Sequence, residues 1–177
     1  MPPGADYRIQ PIQGYTPRIS DLIGMLNYSR QTTLDAVAGL SVAQLDFFHG
    51  ENGNSIGALL AHIVSLKLIY SIRTLEERLP SADEKAEWDA SIRLGKVARE
   101  KYNGLPVAYY QELLEGVRQR TLTGLARCDD DWLNREFTLT DGSLVNNYWA
   151  WFHVVEDEVS HRGQILLIRN HLMPEEP

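Results

Sequence analysis

Apolar residues return at three- and four-residue spacing through four long segments of this chain, a period that only amphipathic helices packed on one another can use. The first segment starts at Pro17, with Thr16 as its cap, and carries Ile19, Leu22, Ile23, Leu26, Arg30 and Leu34 to a stop at Gly39. Ser41 to Asp46 adds a further turn. The second follows Asn52-Gly-Asn-Ser55 and runs through Ile56, Leu59, Leu60, Ile63, Leu66, Ile69 and Leu75 toward Leu79-Pro80. From Ser81 to Pro106 the chain is polar and broken, which predicts a long crossover outside the core with a short helix around Asp83 to Leu94. The third helix starts near Pro106, uses Tyr109, Leu113, Val117, Leu122 and Leu125, and ends near Cys128, with Gly116 and Gly124 as mild weaknesses. Glu136-Phe-Thr-Leu-Thr-Asp-Gly-Ser143 reads as a short extended segment entering a turn, with room for one small strand pair. The fourth helix runs from near Leu144 to His171 and is stopped by Met173-Pro174. Four helices with one long connection, between the second and third, predict an all-α four-helix bundle built as a single domain over residues 1–177.

The fourth helix carries the chemistry. Centred on His161, one face collects Ala150, Val154, Asp157, Ile165, Ile168 and Leu172, so an acid and an imidazole one turn apart stand on an apolar stripe. His62 stands in the same way among Leu59, Leu66 and Ile69 on the second helix. Two readings stay open. Each group is explicable as a satisfied core residue, with Arg162 or Arg30 as donors to Asp157. Alternatively the second and fourth helices face each other, and His62, Asp157 and His161 hold one divalent cation, Zn²⁺, Ni²⁺, Mn²⁺ or Fe²⁺, with a position open for water or substrate. Burying an unpaired carboxylate costs several kcal/mol, which a cation would offset.

Around that trio, Glu158 reads as a fallback ligand or proton-handling neighbour, against the alternative of a solvated acid. Glu158-x-x-His161 is also the motif of di-iron bundles, but those use it twice and it occurs once on a helix here. Tyr148 and Trp149, in Asn146-Asn-Tyr-Trp-Ala-Trp-Phe152, are candidates for a pocket wall above the metal, with core or subunit contact as the alternative, and Arg162 joins them as a candidate substrate contact. His153 belongs to the rim, since eight residues of helix, about 12 Å, separate it from His161. Glu156 reads as surface, His49 as a loop residue and His171 as a favourable charge at a helix end.

Composition narrows the functions. Seventeen basic residues against 24 acidic, with no basic run, leave a net charge of -7 and no footprint for nucleic-acid phosphates or an anionic membrane. Cys128 is the only cysteine, which excludes an internal disulfide framework, suits a reducing cytoplasm and, with no His beside it, reads as an inert thiol. Met1-Pro-Pro-Gly-Ala-Asp lacks the pattern of a signal peptide, and no stretch is read as a membrane span, so a cytoplasmic protein is expected.

Gly57-Ala-Leu-Leu-Ala-His62 and Glu156-Asp-Glu-Val-Ser-His-Arg-Gly-Gln-Ile165 resemble the DinB/YfiT-like family, as do Met25-Leu-Asn-Tyr-Ser-Arg30, Asn54-Ser-Ile-Gly57 and Asn146-Asn-Tyr-Trp149. The resemblance spans nearly the whole chain. It implies a four-helix bundle, commonly a homodimer, with a divalent metal held by a His of the second helix and two residues of the fourth. Asp157 departs from the family's commonest pattern, which has a second His there, and is similar to the thiol-dependent maleylpyruvate isomerase branch, where an acid takes that role. The family's bacillithiol and mycothiol transferases imply a small-molecule substrate and a low-molecular-weight thiol partner. The expected function is therefore a metal-dependent thiol S-transferase or hydrolase. Its competitor is a non-enzymatic, stress-related dimeric bundle that binds metal weakly or not at all.

Overall fold

The computed structural model describes residues 7–174. The opening Met1–Asp6, on which the expectation of no signal peptide rests, lies outside the described residues. Among the described residues there are seven α-helices: α1 Pro17–Val37, α2 Val42–Asp46, α3 Ile56–Thr74, α4 Ala82–Arg93, α5 Gly95–Lys101, α6 Val107–Leu125 and α7 Asn147–Leu167, the last continued by a π-helical turn over Ile168–Leu172. Strands β1 Glu136–Thr138 and β2 Leu144–Asn146 form one antiparallel pair, with Phe137 opposite Val145.

Local chemistry explains most boundaries, and three differ from expectation. Thr16 occupies the N-cap of α1 without capping it. Asp130 does that work instead, accepting from the Arg18 amide at 3.0 Å and from the Thr16 hydroxyl at 2.5 Å, where its charge also suits the helix dipole. Helix α3 ends at Thr74, short of Leu79-Pro80, because the Leu75 and Glu76 amides both turn back to the Ser71 carbonyl and Glu77 follows in left-handed backbone, φ +52°. Helix α7 begins at Asn147 rather than Leu144, since residues 144–146 are held in β2 and Asn146 caps the Trp149 amide at 2.8 Å.

The first residues of α1 and α7 share an apolar cluster with the last residues of α3 and α6, among them Ile19, Leu22, Trp151, Tyr70 and Leu125. Helices α1 and α7 therefore run one way, α3 and α6 the other, and contacts link α1 to α7, α7 to α3, α3 to α6 and α6 back to α1. Parallel neighbours such as α3 and α6 cannot be joined by a tight turn, which is why α4 and α5 lie between them. That crossover is not outside the core: Trp88, Ser91, Ala98 and Tyr102 are buried. Gly124 is no weakness either, because a Cβ there would strike Leu75 of the neighbouring segment, whereas Gly116 faces open space. By length and composition α3 could cross a membrane, contrary to the reading of the sequence, but most of it is packed inside the protein.

Candidate metal centre

Antiparallel packing of α3 on α7 brings His62 level with the turn that carries Asp157 and His161. One carboxylate oxygen of Asp157 stands 3.3 Å from His161 Nε2 and 3.5 Å from His62 Nε2, and the imidazoles meet edge to face with centroids 4.7 Å apart. All three donors lie within 4.8 Å of one another. Their side chains are 12–13% exposed, so they sit at the lip of the core and not in its middle.

These lengths separate the two readings left open by the sequence. Charge-assisted N–H···O bonds are about 2.7–2.9 Å. Donors held about 2.0–2.1 Å from one tetrahedral ion are about 3.4 Å from each other. The distances of 3.3 and 3.5 Å match the second figure. The donor set is also prepared for a cation. His62 Nδ1 lies 2.9 Å from the Ser91 carbonyl, which only accepts, so Nδ1 carries a proton and Nε2 is the nitrogen turned toward Asp157. Ser91 is itself fixed, donating its hydroxyl to the Trp88 carbonyl at 2.8 Å and lying 2.6 Å from the Ser65 hydroxyl. Burial alone would raise the Asp157 carboxyl, but hydrogen bonds and charge from His161 and His62 hold it well below the usual carboxylate range. Burial likewise opposes charge on His62, and is outweighed by Asp157 and the Ser91 bond, which raise its pKa. His161 Nδ1 is buried with no hydrogen-bond partner among the described residues, an atom left over when the ring turns Nε2 toward Asp157. Residues and spacing thus fit one divalent ion.

The remaining candidates scatter around α7 as 100° per residue requires. Glu158 lies furthest from the position its sequence context suggests. It is neither solvated nor at the metal site: it is fully buried, receives Arg30 Nε at 2.8 Å and Nη2 at 3.3 Å, and has Lys67 Nζ at 3.6 Å. Burial would raise its pKa, but the charges of Lys67 and Arg30 lower it, leaving no proton for it to handle. Arg30 also donates to the Leu114 carbonyl of α6 at 2.7 Å, so this cluster ties four helices together. Tyr148 is nine residues from Asp157, half a revolution away, beneath the Arg18 guanidinium of α1. Arg162 also faces α1, where it donates to the Thr32 hydroxyl. Only Trp149 lies on the α3 side, stacked on His153. Burial pushes the Cys128 thiol up to about 11, which keeps it protonated near neutrality.

Three further residues shape the surroundings of the site: Ser91, Lys67 and Tyr70. The Ser91 carbonyl has no residue signature. Lys67 did have one, as the lone cation inside the apolar run Ile56–Ile72, and it announces a buried carboxylate partner. Tyr70, two turns after His62, packs edge-on against both Trp149 and His153.

No curated protein matches the chain. The model of the mycothiol S-transferase family does match, over residues 21–174, a span that contains all three candidate ligands together with Ser91, and the chain belongs to that DinB-like family.

Proposed function

We propose that this protein is a divalent-metal-dependent S-transferase that joins a low-molecular-weight thiol to a small electrophile. The observation that carries the reading is the convergence of His62, Asp157 and His161 at the spacing of one cation, on a lip of the core that solvent reaches. A divalent ion bound there would lower the pKa of a coordinated thiol and so supply a thiolate near neutral pH. The chain's own residues hold and orient. Asp157 brings one negative charge, His62 is anchored through Nδ1 with Nε2 turned toward it, and the two imidazoles pack edge to face. In the transfer an S–C bond forms, the bond from that carbon to its leaving group breaks, and the thiol proton passes to solvent or the leaving group. The nucleophilic sulfur comes from the cosubstrate, because Cys128 is half-buried and lies among Leu75, Gly124 and Trp132, away from the triad. Arg162 and Tyr148 contribute to α1–α7 packing in this reading and not to substrate binding.

We read the ring of four long helices as a four-helix bundle forming one domain, in a cytoplasmic homodimer. The exposed residues Phe152, Val159 and Leu166 recur every seven residues along α7, as a helix seam against a second copy requires. Sedimentation at micromolar protein is expected to give twice the chain mass.

The function is tested by loading the protein with Zn²⁺, Ni²⁺, Mn²⁺ or Fe²⁺, measuring bound metal, and offering mycothiol, bacillithiol, glutathione and cysteine with a generic electrophile. About one ion per chain and thiol-dependent product are expected. Product formed with water alone would make the protein a hydrolase, and failure to retain any metal would leave a non-enzymatic bundle.

A further inference from the structure

The proton on His62 Nδ1 is accepted by a carbonyl that an uninterrupted helix would not have left free. In a continuous α-helix the Ser91 carbonyl takes the amide four residues on, that of Gly95. Here the chain breaks at Leu94, whose φ of +56° and ψ of -158° belong to a region almost confined to glycine, where a side chain persists only if its surroundings hold it. Two contacts hold the break. The Leu94 side chain packs against the apolar cluster that contains Leu45, Leu59 and Tyr110, and the Gly95 amide is turned away to the Asn54 side chain, which accepts it at 2.7 Å. Ser91 is left with its carbonyl open at the C-terminal end of α4, where the helix dipole adds negative charge, and His62 fills it at 2.9 Å. Ser65, one turn after His62 on the same face of α3, takes hold of the same residue by its other polar atom, Oγ to Oγ at 2.6 Å. Ser91 already donates its hydroxyl proton to the Trp88 carbonyl at 2.8 Å, so Ser65 is the donor of that bond. Trp88 and Ser91 are the only buried residues of α4. With so little apolar surface to seat the helix, these polar bonds fix where the Ser91 carbonyl lies.

We propose that Asn54 and Ser65 are positioning residues for the metal ligand His62, both acting through Ser91; this deepens the metal-dependent reading and rests on it. Asn54 keeps the Gly95 amide from closing the helix onto the Ser91 carbonyl, and Ser65 sets the place of that carbonyl beside the ring. The consequence is felt at Nε2. A ring bonded through Nδ1 cannot flip to offer the wrong nitrogen, and it presents Nε2 to a cation from one direction. His161 Nδ1 has no partner among the described residues, so of the two imidazoles His62 is the one that the fold pins. Asn54 stands before the N-cap of α3, about two turns from His62, and its influence reaches the ligand through α4.

The first measurement is Zn²⁺ affinity by competition with a chromophoric chelator, with Asn54→Ala and Ser65→Ala each expected to bind about tenfold more weakly. Asn54→Asp, which keeps an oxygen for the Gly95 amide, should restore the affinity. Ser71→Ala is the matched control: it removes an equally buried hydroxyl of α3 that faces Thr121 of α6, and should leave the affinity as it was. A second readout needs no metal. The proton on His62 Nδ1, shielded by its bond to Ser91, should give a slowly exchanging downfield NMR signal in the metal-free protein, identified by its loss in His62→Gln. That signal should survive in Ser71→Ala and Asn54→Asp and disappear in Asn54→Ala and Ser65→Ala. Unchanged affinity and signal in both of the last two variants, or the same losses in Ser71→Ala, would overturn the proposal, and so would absence of the signal from the unaltered protein. If that protein takes up no divalent ion, the metal-dependent reading fails by itself, and the proton signal alone decides whether Asn54 and Ser65 hold the ring.

Discussion

Asp157 and Glu158 are consecutive carboxylates on one helix, and they have met opposite fates. Glu158 points into the centre of the fold, where Arg30 and Lys67 surround it with positive charge. Asp157, 100° round the helix, is paired among the described residues with two imidazoles, at distances too long for strong hydrogen bonds. The first acid is satisfied by the protein and welds α1, α3 and α7 at mid-height, between an apolar cluster at each end. The second is satisfied by nothing permanent, which leaves it free to take a cation. Burial and charge alone do not identify a functional acid. What distinguishes it is whether its partners are permanent cations or neutral donors that can be shared with a ligand.

The sharpest way to break this contrast is to attack the triad. His161→Ala should abolish stoichiometric metal and thiol transfer together, read by elemental analysis and product formation, while the protein stays folded by circular dichroism. Removing the other acid should do the reverse. Glu158→Gln strands buried cations, an error worth about 3–5 kcal/mol, and at about 2–4 °C per kcal/mol the melting temperature should fall by about 6–20 °C; the fraction that remains folded should still bind metal. Chelation comes next: at a hundredfold excess of ion over Kd the metal contributes about 2.7 kcal/mol, so a chelator should lower the melting point of the loaded protein and leave that of His161→Ala where it was. The smallest effect concerns Lys67, whose ammonium is pushed down to about 7 by burial, with Arg30 adding to the repulsion. Between about pH 7 and 10.5 the unfolded chain keeps that proton and the folded chain releases it, so this residue makes the fold more stable as pH rises, by up to about 1.4 kcal/mol per unit. Lys67→Met should flatten that slope, which urea titrations at pH 7 and pH 9 will show.

Much of this was legible in the chain. The apolar period marked α1, α3, α6 and α7, and the isolated histidine of α3 pointed at the acid and imidazole of α7. The same arithmetic misjudged which acid is deepest. Centring the stripe on His161 made Asp157 a core residue, yet the buried positions Ala150, Trp151, Val154, Glu158, Ile165 and Ile168 centre closer to Glu158. A charged side chain contributes nothing to an apolar stripe, so periodicity passes over the one that occupies its middle. The crossover was misread for a related reason: Trp88 and Tyr102 anchor a segment whose other residues are mostly polar, and two anchors are too few to register as a period. Tyr148 and Arg162 are near the ligands along the chain, whereas helical rotation carries both toward α1.

The carbonyl of Ser91 adds a genetic aspect to the site. The atom that sets the proton of His62 belongs to the main chain, so no substitution of residue 91 other than one that displaces the backbone can delete it. Its influence is inherited through the seating of α4, and above all through Trp88 beneath it. Metal affinity in this protein should therefore be tunable from a segment that contributes no ligand, and variants that repack the crossover would alter the centre while leaving His62, Asp157 and His161 untouched.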